Sequence, residues 1–212
     1  MPLIQRCQLT AVALVSLPGI RFRRRAAVLL SGLNRLKAIV AKTRPLQIIY
    51  GGKAHPNDQA GKEIIQQIWR AGESLSPDVK LFHLENYDMH RGKLITAGFD
   101  VWMNTPLPPM EASGTCGMKA AINGVPSFSI VDGWWIKGCI EGITAWSIGK
   151  PPSVSNTASP ERTPKDSKAL YSKIECVVAP LFYNERDPFI DVMRHTIALN
   201  GSFFNIQRMV QQ

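Results

Sequence analysis

An α/β fold with a parallel sheet is what this sequence predicts, and three observations carry the prediction. Short apolar runs recur along the chain, as in LQIIY with its β-branched residues, VKLFHLE and VPSFSIV. Stretches with helical spacing of apolar residues stand between them. Glycine-rich turns such as GGKAHPND follow the runs. Strand, turn and helix in repeated alternation are the pattern of parallel strands joined by crossover helices.

The elements follow in order. AAVLLSGLNRLKAIVA (26–41) places Leu29, Leu33, Leu36 and Val40 on one helical face, and Arg44-Pro45 ends it. LQIIY (46–50) reads as a strand. KEIIQQIWRAG (62–72) reads as a helix with Ile64, Ile65, Ile68 and Trp69 on one side and Gly72 near its end. Strands are expected at 79–85, 99–104 and 125–131, and helices at 88–97 and 116–124, the last stopped by Asn-Gly. The segment 149–167 is rich in Pro, Ser and Thr and reads as a loop, followed by two or three amphipathic helices to the end of the chain. The organisation expected is a basic N-terminal arm (1–25), a Rossmann-like domain (26–150), a linker (151–166) and C-terminal helices (167–212). Ligands of such sheets sit beyond the C-terminal ends of the strands, here on loops such as 51–58 and 104–116.

The chain has 212 residues, 45% hydrophobic and 19% charged, which supports a packed core and argues against global disorder. Its net charge of +9 is localised. Residues 1–44 hold nine of the 25 Lys/Arg and no acid, and the remaining 16 cations balance the 16 acids. The basic segment reads either as an anion contact or as a solvated arm. Within it, LTAVALVSL loosely resembles the apolar core of a signal peptide, but RFRRR directly after it argues against export. No apolar run is long enough to span a bilayer. Cys7, Cys116, Cys139 and Cys176 are scattered, without zinc spacing, so a reduced cytoplasmic chain without a metal is expected. His55, His83, His90 and His195 read as structural or solvated.

The stretch EASGTCGMKAAING (111–124) concentrates the chemistry. Small residues running into a helix start leave backbone N–H groups from Thr115 to Gly117 free to face an anion. Lys119 adds a cation or an amine able to form a Schiff base. The spacing is not that of a P-loop, which needs GxxxxGK[ST]. Read alone, the stretch is either an anion or cofactor site or a capped helix with a solvated lysine.

The larger pattern resembles a known family. LQIIYGGKAHPNDQAGKEIIQQI, LENYDM and FDVWMNTPLPPMEASGTCGMKAAINGVPSFSIVDGWW are similar to the α-glucan (glycogen/starch) phosphorylases, closest to their shorter bacterial and archaeal branch. ALYSKIECVVAPLFYNERD and SFFNIQRMVQQ extend the likeness, which runs over roughly residues 26–212. The resemblance implies the C-terminal half of a GT-B glycosyltransferase fold. It implies that Lys119 carries pyridoxal 5'-phosphate, whose phosphate exchanges protons with inorganic phosphate as an α-1,4-glucan is cleaved to glucose 1-phosphate. Glu111, Ala112, Ser113 and Gly114 match the sugar-contacting positions. Thr115 and Cys116 match those that hold the cofactor phosphate, and Tyr87 matches a tyrosine near the cofactor. Arg24 and Arg25 can be set against the "KR" of a basic run that binds the phosphates, which with Lys119 makes the implied catalytic set.

The sequence departs from the family at several points. Cys116 stands where glycine or a small residue is usual, Lys137 replaces an acid, and Ile143-Thr144 replace an Asn-Gly turn. The resemblance reaches the C-terminal domain only, so a truncated product is expected, with turnover near zero alone. The partners implied are α-glucan, inorganic phosphate and, for an active form, a separate chain supplying the N-terminal domain. Neither nucleic acid nor membrane is expected as a partner. The competing reading is a non-catalytic module that binds glucan or an anion through the 111–119 loop.

Overall fold

A computed structural model describes residues 12–16, 25–108, 113–150 and 162–212. Six strands form one parallel sheet: β1 (Val12–Ser16), β2 (Leu46–Gly51), β3 (Lys80–Leu84), β4 (Val101–Asn104), β5 (Ser127–Ile130) and β6 (Ala145–Ile148). Their order is β3-β2-β1-β4-β5-β6. The order reverses between β1 and β4, where Ser16 pairs with Met103, and such a reversal is where open parallel sheets hold their ligands. The α/β expectation, with a parallel sheet flanked by helices and a C-terminal helical extension, holds.

One expectation needs correction. Residues 1–25 do not form an arm throughout, because Val12–Ser16 is the central strand, paired with β2 on one side and β4 on the other. A strand in the middle of a parallel sheet is covered on both faces and reads as an unbroken apolar run, which is also how a leader's core reads. The basic run RFRRR follows this strand in the sequence, and its last arginine opens α1 (Arg25–Leu30).

The helix expected over 26–41 is two helices, α1 and α2 (Leu33–Lys42). The break has a cause far along the chain. The Tyr171 hydroxyl donates to the carbonyl of Leu29, and its ring presses on Gly32, where a Cβ would lie 2.4 Å from a ring carbon. Ser31 adds a hydroxyl bond to Ser167 at 2.8 Å.

The helix α3 (Gln59–Leu75) starts earlier than its apolar spacing suggests, because the Asp58 carboxylate accepts from Gly61 N at 2.9 Å. It lies on β3 through Gly72, whose missing side chain admits the Leu81 carbonyl. Trp69, expected on one side with Ile64, Ile65 and Ile68, is 55% exposed, whereas Ile64 and Ile68 are buried. The helix α4 (Met89–Gly98) is capped by Asp88, which accepts from Arg91 N at 2.8 Å. This bond, helped by the charges of Arg91, His90 and Lys53, holds the Asp88 carboxyl below its usual range. α5 (Thr115–Ile122) and the short α6 (Trp135–Gly138) follow β4 and β5.

The last third of the chain is part of the main core. α7 (Arg162–Lys173) runs through a π-helical turn (Ile174–Val178) into α8 (Ala179–Asn184). α9 (Arg186–His195), a second π-helical turn (Thr196–Gly201) and α10 (Ile206–Gln211) complete it. Leu170, Tyr171, Ile174, Val178 and Phe189 are buried among the sheet residues Ile48, Phe128 and Trp146. Trp146 stacks on Phe189 with ring centroids 5.9 Å apart. α7 also begins inside the stretch expected as linker. Gly149 lacks the side chain that would meet the Asp166 carboxylate, and Asp166 pairs with Arg162 at 3.2 Å, which secures the first turn early. No helix among the described residues is long and apolar enough to cross a membrane.

Candidate functional site

The site is built around α5, beyond the C-terminal end of β4. Gly114 caps it in the left-handed region (φ 78°, ψ 40°), a conformation that glycine adopts without penalty. Asn123 and Gly124 end it. Gly124 N donates to Ala121 O and Val125 N to Ala120 O, both at 3.0 Å, while the Asn123 amide caps the Lys119 carbonyl at 2.8 Å. This is the stop that Asn-Gly foretold.

Helical geometry divides the candidate residues between two faces. Thr115 and Lys119, one turn apart, look into a groove of about 920 Å³. Met118 and Ile122 continue that wall, and Phe203 and Arg208 from the C-terminal segment form the opposite one. Lys119 is exposed and has no ion-pair partner among the described residues. Cys116 turns the other way, into a small apolar cluster with Tyr87, Ile95, Trp102 and Ala120. Burial there pushes the Tyr87 phenol above its ordinary value, and the nearby Cys116 thiol adds to the shift. Tyr87 fits against α4 because residue 92 is glycine, where a Cβ would lie 2.8 Å from the phenol oxygen. The structure thus joins Thr115 with Lys119 and Cys116 with Tyr87, but on separate faces.

Ser113 is exposed, and its carbonyl accepts from Trp134 N at 3.0 Å. The indole of Trp134 is nearly buried, wedged against Gly117 and Gly138, with Phe204 edge-on at 5.1 Å between centroids. Sequence reading assigned no role to Gly133 and Trp134. The DGWW quartet was visible, but not the fact that it folds back onto Ser113.

Glu111, Ala112 and Arg24 lie outside the described residues. Arg25 is the first residue of α1. Of the histidines, His55 accepts from Asn57 N at 3.2 Å through Nδ1 and orders its turn. His83 sits in β3, and burial lowers its pKa.

A family profile described as carbohydrate phosphorylase matches residues 22–141, more than half of the chain. The chain belongs to the carbohydrate phosphorylase family. The match takes in Arg24 and Arg25, Tyr87 and the whole 111–119 stretch. A maltodextrin phosphorylase of Thermococcus litoralis is 40% identical over 190 residues, 89% of this chain and 22% of that protein. A glycogen phosphorylase of Aquifex aeolicus is 38% identical over 195 residues, 89% of this chain and 27% of its own length. One from Mycobacterium tuberculosis is 38% identical over 196 residues, 89% of this chain and 22% of its own length. The chain therefore spans about a quarter of the length of these relatives.

Proposed function

We propose that this chain forms the cofactor- and phosphate-holding side of an α-glucan phosphorylase, with pyridoxal 5'-phosphate held at Lys119. The observation that carries the reading is the placement of Thr115 and Lys119 on one face of α5, over a groove, at the C-terminal edge of the sheet. One helical turn separates them by about 6 Å along the axis, which suits a group held by an amine at one end and a phosphate at the other.

The residues present fit that cofactor. The Lys119 amine is exposed and free of ion pairs among the described residues. Met118, Ile122 and Phe203 offer an apolar wall to a flat ring. The first turn of α5 presents the backbone N–H groups of Thr115 and Cys116 and the Thr115 hydroxyl to an anion. When bound, the cofactor would supply a phosphate that exchanges a proton with the attacking inorganic phosphate.

The chain's own residues do the rest. Lys119 anchors through its amine and fixes orientation. Thr115 donates to the cofactor phosphate, and Cys116 contributes its N–H while its side chain packs with Tyr87. Ser113 and Gly114 let glucose approach the backbone closely, and Glu111 accepts from its hydroxyls. Arg24 and Arg25, which match the family's basic run, neutralise the two phosphates. The overall reaction is phosphorolysis of an α-1,4-glucan to glucose 1-phosphate. It requires a further domain across the cleft.

The exposure of Lys119 also suits a second reading, a module that binds an anion or glucan without the cofactor. One experiment separates the two. The protein is incubated with pyridoxal 5'-phosphate, reduced with borohydride and mapped by peptide mass. A label concentrated on Lys119 is expected. A folded protein with no label, or with label spread over its lysines, would sink the cofactor reading and leave the binding module.

A further inference from the structure

We propose that Gly133 and Trp134 are the positioning residues of this site: they seat the Ser113 carbonyl and so decide where Gly114 and the first turn of α5 stand. The inference rests on the proposed function for what the loop holds, and on geometry alone for what holds the loop.

Two contacts grip Ser113 from one turn. Trp134 N donates to its carbonyl at 3.0 Å. Gly133, at φ +54°, leaves open the space in which that carbonyl lies: a Cβ there would stand 2.9 Å from the oxygen and 3.1 Å from the carbon. The turn is itself fixed, because Gly133 N donates to the Asp132 carboxylate at 2.9 Å and Trp135 N to the Asp132 carbonyl at 3.1 Å. The Trp134 indole is clamped between two helices by glycines. A Cβ at Gly117 of α5 would lie 3.0 Å from it, and one at Gly138 of α6 would lie 2.6 Å away. Phe204 closes the third side.

Ser113 is thus the fixed point that leads into a helix whose N–H groups must be aimed. An anion seat made of backbone donors works only if those donors are held within a fraction of an ångström. Moving the Ser113 carbonyl swings Gly114 and turns the Thr115 and Cys116 N–H groups away.

The test compares Gly133→Ala with Gly142→Ala. Gly142 has a similar backbone (φ +73°) but open space around its Cβ, so it reproduces the strain without the contact. Amide resonances are recorded for each protein, and inorganic phosphate is titrated. In Gly133→Ala the amides of Ser113, Gly114 and Thr115 move and the phosphate dissociation constant rises about tenfold. In Gly142→Ala both stay as in the unaltered protein. Superposable 113–115 amides in Gly133→Ala, or equal loss of phosphate in both variants, would overturn the inference. If Gly133→Ala does not fold, Trp134→Leu keeps the backbone donor and removes the clamp. It should shift the same three amides, and unshifted amides there would count equally against the proposal. Absence of any phosphate-dependent shift in the unaltered protein would instead refute the phosphate seat, while the amide comparison still decides the positioning role.

Discussion

The Thr196 hydroxyl donates to the backbone carbonyl of Thr144 at 2.7 Å, and neither residue exposes any surface. The bond fastens the second π-helical turn to the turn that leads into β6. Thr196→Val keeps the shape and removes the donor, leaving a buried carbonyl without it. The expected cost is about 1–3 kcal/mol, read from urea denaturation, with Thr196→Ser close to the unaltered protein. Equal stability of the valine variant would mean that the C-terminal helices are not anchored here.

Asp166 sets a pH dependence. Burial raises its carboxyl pKa, and Arg162 beside it offsets only part of that. The folded chain therefore keeps this proton to higher pH than the unfolded chain does. The contribution to stability is fully present in acid, falls as pH rises from the ordinary carboxyl value through the raised one, and is level above it. Urea melts from about pH 3 to 8 should show the unaltered protein losing ground to Asp166→Asn with rising pH, then holding constant. A difference that moves the other way would mean that Arg162 governs the site.

Tyr87 reports on the cluster beneath the proposed cofactor site. The difference in ultraviolet titration between the unaltered protein and Tyr87→Phe should show a phenol that ionises above the ordinary tyrosine value. Cys116→Ser should bring it part of the way down, since Cys116 is the lesser cause and burial the greater. An unchanged Tyr87 titration in Cys116→Ser would separate the two residues.

Gly114 carries the left-handed entry to α5. Gly114→Ala should cost about 1–2 kcal/mol in equilibrium unfolding, and Gly114→Asn less, because asparagine visits this region more readily. Equal losses for both would point to crowding rather than backbone strain.

Much of this architecture was legible in the sequence. β2 to β5 announced themselves as short apolar runs, and α5 by its small residues and its Asn-Gly stop. The four-residue spacing of Thr115 and Lys119 places them on one face of any helix. Other features depended on partners distant in sequence. The break between α1 and α2 is made by Tyr171, and no local propensity shows it. The early start of α7 depends on space left at Gly149. β1 was obscured by the cations after it. β6, AWSI, was not expected as a strand, and its first residue has a φ of 158°. At the site, Cys116 and Tyr87 were each named through family likeness, yet their shared cluster and their separation from the Lys119 face emerge only from packing. Gly133 could not be read at all, because its importance is the absence of an atom beside a carbonyl twenty residues earlier.

The central position of β1 changes what a shortened version of this protein would be. A chain begun at residue 26, where the family likeness becomes plain, would lack no ornament but the seam of its sheet. β3-β2 would part from β4-β5-β6, and each piece would acquire a raw border of unpaired amides and carbonyls. The same seam closes late during synthesis, since β1 must wait for β4, emitted some eighty-five residues after it, before its second flank is covered. Until then β1 and β2 form a half-zipped ribbon, bordered on its free side by whatever strand it meets first.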